Sequence, residues 1–189
     1  MACAVLVMVA RPGAALEVLE QTFEADGGVY QLALELRLEA PIERVWTVLT
    51  GYERLPELNP AVTESEVTRS PDGPPEVRTV VRGCVLFFCS SVVRLERMEE
   101  IAPVRIVAVT DPDRSDLRAG RSEWNLWPED EGTRLSLTVS MEPDFWVPPL
   151  LGRRAIRRSL IDGTLELMQA VERRAADEAG PASESQDPG

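Results

Sequence analysis

VYQLALELRLEAPIERVWTVL, residues 29–49, sets two periodicities end to end. In its first half Tyr30, Leu32, Leu34, Leu36 and Leu38 alternate with Gln31, Glu35, Arg37 and Glu39. A period of two over this length marks a strand with one apolar and one polar face. Ala40-Pro41 stops it, and Pro41 suits the first turn of a helix, where its missing N–H forfeits no bond. Ile42, Val45, Trp46 and Leu49 then recur at helical spacing. Gly51 ends that helix, and a second short helical turn reaches residue 58 before Pro60.

Downstream the period-two pattern returns. Residues 62–69, 76–82, 85–97, 104–109, 122–127 and 133–141 read as strands, the third long and bent. Val77, Thr79 and Val81 stand opposite Arg78 and Arg82, and Val93 and Leu95 opposite Arg94 and Glu96. SPDGPP at 70–75 and PEDEGT at 128–133 are turns by composition, and DPDRSDLRAG at 111–120 is a polar loop. After Pro148-Pro149, Ile156, Leu160, Leu167 and Val171 recur at helical spacing with Ile161, Leu165 and Met168 beside them. That is one amphipathic helix of about 25 residues, roughly 38 Å long. Residues 175–189, AADEAGPASESQDPG, are acidic and rich in turn formers, and are expected to be a disordered tail.

The expected architecture is α+β: a curved antiparallel sheet of about seven strands wrapped around a long C-terminal helix, with two short helices after strand 1. The long helix is the only element large enough to cover the sheet's apolar face. A helix in the concavity of a strongly curved sheet touches it mainly at the ends and edges, so the middle can hold an apolar cavity.

Composition removes many chemistries. The net charge of −12 argues against nucleic-acid binding and against broad adhesion to anionic membranes. All 20 basic residues are Arg, and neither Lys nor His occurs. This excludes Schiff-base lysines, Ser-His-Asp and Cys-His catalysis and His-ligated zinc. No metal site, cofactor or catalytic residue is assigned. Cys84 and Cys89 stand five apart in GCVLFFCSS. On one regular strand they would face opposite ways, so they read as two small buried apolar residues; a disulfide needs a bulge or turn between them, and export would favour it. The apolar run at residues 2–10 has no preceding basic residue. Either it is the remnant of a signal peptide, making the protein periplasmic or otherwise exported, or it is a disordered or docked N-terminus of a cytoplasmic protein. The division is thus residues 1–28 as an N-terminal segment, 29–174 as the domain and 175–189 as the tail.

Three pieces carry a family resemblance: APIERVWTVLTGYERLPELNP after the first strand, the GRSEWNLWPEDEGTRLSL hairpin, and MEPDFWVPPLLGRRAIRRSL entering the long helix. Over residues 29–174 the chain resembles the START-like, polyketide-cyclase/coenzyme-Q-binding superfamily, whose fold is the helix grip. Gly51 departs from it, standing where an Asp is common. The resemblance implies a hydrophobic cavity, with lipids, isoprenoid quinones or polyketides as ligands. The first functional reading is non-catalytic binding or transport of such a molecule. The alternatives are a cyclase/dehydratase-like enzyme and a protein-interaction role like that of ribosome-association toxins, against which the net charge weighs.

The predicted lining follows the strand faces: Trp124, Leu126, Leu135, Leu137 and Val139, meeting Ile156, Leu160 and Leu167 of the helix. Gly163 and Thr164 lie mid-helix, where missing side-chain volume leaves room for ligand or allows close approach to the sheet. Arg118, Arg153 and Arg157 are candidate head-group contacts; with Arg154 and Arg158, the helix residues either clamp an anion at the cavity mouth or form a solvated flank. Phe145, Trp146, Val147, Leu150 and Leu151 form either a portal that touches a membrane transiently or a cap on the core. Asp116 and Arg118 are the polar loop residues that a catalytic reading would use.

Overall fold

The structure, a computed structural model, describes residues 16–71, 73–85, 88–130, 132–147 and 151–177. The alternating stretch forms β2 (Val29–Leu38), with Tyr30, Leu32, Leu34, Leu36 and Leu38 all buried. α1 (Ile42–Leu49) follows, its first turn accepted by the Pro41 carbonyl, and it buries Ile42, Val45, Val48 and Leu49. A 3-10 turn at Tyr52–Arg54 leads to α2 (Leu55–Leu58). The chain then meanders through β3 (Val62–Thr68), β4 (Glu76–Val85), β5 (Phe88–Ile101), β6 (Arg105–Thr110), β7 (Leu117–Glu129) and β8 (Gly132–Pro143), and ends in α3 (Leu151–Asp177).

A further strand, β1 (Glu17–Asp26), precedes these and makes the antiparallel sheet eight-stranded, in the order β1-β2-β8-β7-β6-β5-β4-β3. The sequence places these residues outside the sheet because an edge strand that turns only Phe23 and Ala25 inward shows little alternation. Its clearest signal is Gly27-Gly28, whose φ values of 57° and 90° make the two-residue hairpin turn that joins it to β2. Two more boundaries move. β7 starts at Leu117, inside the predicted polar loop, and α3 runs three residues past 174, with Ala175 fully buried.

The predicted strand at 85–97 is also corrected. β4 ends at Val85 and β5 begins at Phe88, so the chain reverses between them, and the register sets Cys84 opposite Cys89. Cys89 is exposed and disulfide-bonded, which overturns its reading as a buried apolar residue. An odd spacing that separates two side chains along one strand brings them across from each other once a turn lies between them.

One core cluster unites the inner face of β2, β7 and β8 with α1 and the C-terminal half of α3, where Met168, Val171 and Ala175 are fully buried. The Glu172 carboxylate fixes this end of the helix. It accepts the backbone N–H of Leu16 at 3.1 Å and of Glu39 at 2.9 Å, tying α3 to the start of β1 and the end of β2. The outer face carries ion pairs such as Arg37–Glu17, Arg37–Glu129 and Arg105–Glu123. Among the described residues no helix is long and apolar enough to cross a membrane.

Candidate functional site

Pleat parity decides what faces α3. Trp124 lies between Ile106 and Leu137, Leu126 opposite Leu135, and Val139 between Leu32 and Ser122. All of the apolar residues in these rows belong to the core cluster or pack against it. The inner surface is not uniform. Leu126, Leu135 and Leu137 are sealed, at 0–1% exposure, whereas Trp124 and Val139 remain half-buried. The helix shows the same division: Ile156, Leu160, Gly163, Thr164 and Leu167 are half-buried, while Met168 and Val171 beyond them are fully enclosed. The C-terminal half of α3 therefore packs into solid core, whereas in its N-terminal half Ile161 is buried and Ile156, Leu160 and Leu167 keep part of their apolar surface accessible.

Gly163 faces the α2–β3 connection. Its carbonyl accepts the Asn59 side-chain amide at 3.3 Å, and an added Cβ would meet only that amide, at 3.9 Å. Arg118 is held at the surface by Asp144 at 2.6 Å and Glu142 at 3.6 Å, which raises its guanidinium pKa further. Asp116 binds the edge of β5 where β6 has stopped. Its carboxylate accepts the Val93 N–H at 2.7 Å, and its own N–H donates to the Val93 carbonyl. Arg153, Arg154, Arg157 and Arg158 are exposed on α3, and Arg158 pairs with Asp162 at 3.1 Å. In the loop before α3, Phe145 is 44% and Trp146 79% exposed, so neither caps the core. Leu150 and the side chain of Leu151 lie outside the described residues.

Sequence reasoning missed a polar cluster on the inner face of β4, β5 and β6. Glu96 shares a face with Met98, and Thr110 with Ala108 and Ile106, all three of them core residues. Glu96 stands opposite Thr110, and Arg94 opposite Thr79. Glu96 is only 7% exposed and binds the Arg94 guanidinium at 2.5 Å. Polar residues in an alternating strand are expected outside, with Val93 and Leu95 inside. β5 has the opposite parity: Glu96 and Met98 are buried on the inner face, Leu95 is buried on the other, and the 111–116 segment continues along the strand's edge, the Asp111 N–H donating to the Leu95 carbonyl and Ser115 accepting the Leu95 N–H. The signal available was Met98, two and four residues beyond Glu96 and Arg94 on the same face.

Two other features frame the site. Tyr52, buried, donates its hydroxyl to Glu100 at 2.6 Å; burial, then the Glu100 carboxylate, push its pKa well above the ordinary phenol value. On the outer face, Thr22, Glu24, Gln31, Arg121, Thr138 and Ser140 rim a shallow depression of about 320 Å³. It lies on the opposite face of the sheet from the partly open interior. Among the described residues no group of acids or cysteines could hold a metal ion.

The family described as polyketide cyclase / dehydrase and lipid transport matches residues 38–162, well over half the chain. The chain belongs to this family. Its fold recurs in a crystallised protein of Thermus thermophilus, with 23% identity, a TM-score of 0.65 and coverage of 79% of this chain and 99% of that one. It recurs in the Zhui aromatase/cyclase of Streptomyces sp. R1128, at 16% identity and a TM-score of 0.64, covering 82% and 98%. A START superfamily protein of Mycobacterium smegmatis gives 18%, 0.62, and 78% and 98% coverage. At such identities these structures establish the helix-grip fold alone. No curated protein is similar enough in sequence to match this family member. Family and fold together fit hydrophobic-ligand binding, whether for cyclisation or for lipid transport.

Proposed function

We propose that the chain binds a hydrophobic small molecule, of lipid, isoprenoid-quinone or polyketide type, between the N-terminal half of α3 and the facing end of the sheet. The observation that carries this reading is the inward apolar surface of Trp124, Val139, Ile156, Leu160 and Leu167, half accessible beside a sealed core. A closed core buries such residues fully; leaving several half-open in one place forgoes stabilisation at about 25 cal/mol per Å² unless something else covers them. Native mass spectrometry of the purified protein, with organic extraction, is expected to release a hydrophobic compound. A ligand-free protein that also leaves the fluorescence of an added apolar dye unchanged sinks the reading.

Binding without turnover is the first form of this reading. Asp116 and Arg118 are both committed to structural partners, and Glu96 is paired with Arg94. The location of that ion pair on the inner face favours a cyclase or dehydratase as the second form. Turnover of a poly-β-keto substrate that Glu96→Gln abolishes would establish it.

Transient contact with an anionic membrane is the accompanying proposal. Trp146 and Phe145 project next to a helix start carrying four exposed Arg and no acidic residue in its first turn. Aromatic and cationic side chains together suit a lipid–water interface. The protein is expected to sediment with vesicles of 30 mol% phosphatidylserine and not with pure phosphatidylcholine; equal or absent binding to both rejects it. The disulfide at Cys89 supports an exported location over a reducing cytoplasm.

A further inference from the structure

The buried residues of α3, Ile161, Met168, Val171 and Ala175, mark the side of the helix that faces the core. Half-buried Thr164 falls between them, so the stripe runs through 161, 164, 168, 171 and 175 in alternating steps of three and four. Continued towards the helix start in steps of four, it passes through Arg157 and Arg153, and both are exposed. The inward side of the first two turns is thus open to solvent, with cations where the rest of the stripe has mostly apolar side chains. Arg157 lies about 6 Å along the axis from Ile161, and Arg153 about 6 Å beyond that. Beside them, Ile156 and Leu160 keep part of their apolar surface accessible.

A solvated flank of ion pairs does not describe these two residues. Arg158 has Asp162 four residues on and pairs with it. Arg153 and Arg157 have no acid three or four residues away in either direction. They stand four apart, where like charges repel. The first turn holds no acid, and the helix dipole disfavours cations there.

We infer that Arg153 and Arg157 hold the anionic group, a carboxylate or a phosphate, of an amphiphilic ligand whose apolar body lies along Ile156, Leu160 and Leu167. This rests on the interior binding reading above and narrows its ligand to an anionic amphiphile. Two guanidinium forks one turn apart match an oxyanion with two or three oxygens. At the open end of the stripe the charged group keeps part of its hydration, so the ion is not fully desolvated. A neutral ligand leaves both cations unmatched, and a cationic one is repelled. Both positions stay at the surface, so they remain part of the cationic face proposed for the membrane.

The test is calorimetric titration of decanoate, decan-1-ol and decyltrimethylammonium, each below its micellar concentration, into the wild type and into Arg153→Gln/Arg157→Gln. The wild type is expected to bind decanoate at least about tenfold more tightly than decan-1-ol, and the ammonium most weakly. The double variant loses that preference and keeps its decan-1-ol affinity; an unchanged preference overturns the site. Arg97→Gln/Arg173→Gln makes the same change in net charge at exposed residues elsewhere and should keep the preference. An equal loss there means that long-range charge sets it, and the assignment falls. Arg157→Gln should reduce the preference more than Arg154→Gln does, and the reverse order overturns the inward stripe. A second readout needs no ligand: the two cations repel each other, so Arg153→Gln/Arg157→Gln should melt no lower than the wild type. A lower melting temperature means that the pair has a partner within the protein, and overturns the site. Displacement of decanoate by an equal concentration of acetate makes the pair a plain anion site and overturns the amphiphile. Equal binding of decanoate and decan-1-ol overturns the Arg pair and leaves the interior reading standing; binding of none of the three overturns both.

Discussion

Gly120 offers the sharpest check on the geometry of the inner face. A Cβ placed there would stand 2.1 Å from Thr110 Oγ1, 2.9 Å from Thr110 Cβ and 3.4 Å from Leu117 Cδ1. Rotating the Thr110 side chain relieves the first contact but not the second, because that Cβ is fixed to β6. Gly120→Ala therefore forces β6 and β7 apart by several tenths of an ångström. Such overpacking costs about 1–3 kcal/mol, and replacing a strand glycine returns about 0.5–1 kcal/mol, leaving a net loss of roughly 1–2 kcal/mol. For a domain of this size that lowers the melting temperature by about 3–6 °C. Thr110→Gly removes both the atom at 2.1 Å and the Cβ at 2.9 Å, so the two substitutions together should cost less than the sum of their separate effects. Calorimetric melting and urea titration of the four proteins give the coupling, expected at about 1 kcal/mol or more. Strict additivity would show that Thr110 does not stand against Gly120.

Glu172→Ala removes the carboxylate that accepts from both Leu16 and Glu39, so stability should fall by about 1–2 kcal/mol, discounted for partial exposure, with faster amide exchange at the start of β1; unchanged exchange there contradicts the clamp. Tyr52 keeps its proton in the folded state well above the usual pH while an unfolded tyrosine loses it near pH 10. Its contribution is therefore whole below about pH 10 and declines above it at about 1.4 kcal/mol per pH unit, a slope that urea titrations should show in the wild type and not in Tyr52→Phe. Gly163→Ala meets nothing closer than 3.9 Å and removes a mid-helix glycine, so it should raise stability by about 0.8–1 kcal/mol, and a loss indicates a tighter contact with α2 than 3.9 Å. Arg153→Glu/Arg154→Glu places acids at the positive end of the α3 dipole and should raise the melting temperature while abolishing sedimentation with anionic vesicles; retained sedimentation removes the Arg cluster from the membrane reading.

Elements with one clean period were legible in the sequence. β2 and α1 could be read from residues 29–49, and β8 and α3 from their own repeats, because each buries one face against the core. What failed has common causes. β1 is an edge strand that turns only Phe23 and Ala25 inward, and a bulge between Val18 and Glu20 breaks its period, so little burial imposed alternation on it. β5 buries residues of both parities, Leu95 on one face and Glu96 and Met98 on the other, so alternation alone could not orient Arg94 and Glu96. The cysteine pair depended on a turn that GCVLFFCSS does not announce, lacking Pro, Asn or Asp between the cysteines. The predicted apolar lining could be placed on the inner face by period. Which part of that face is sealed depends on how the helix tilts across the sheet, and that is a long-range property no local pattern encodes.

The two halves of α3 separate stability from function along one helix. Residues 168–175 obey the local rules: enclosed apolar side chains, and Glu172 holding two backbone donors of neighbouring strands. Residues 151–167 break several of them. Arg153 and Arg154 sit in the first turn, where the helix dipole disfavours cations and no acid compensates. Gly163 and Thr164 stand mid-helix with weak helical propensity, and Ile156, Leu160 and Leu167 remain only partly buried beside the buried Ile161. Each of these departures costs stability. These departures fall in the same half of the helix, while residues 168–175 show none of them. On the proposed function, a bound apolar molecule covers the accessible lining of this half, and the exposed cations and aromatics at the helix start are the part left for the proposed membrane contact.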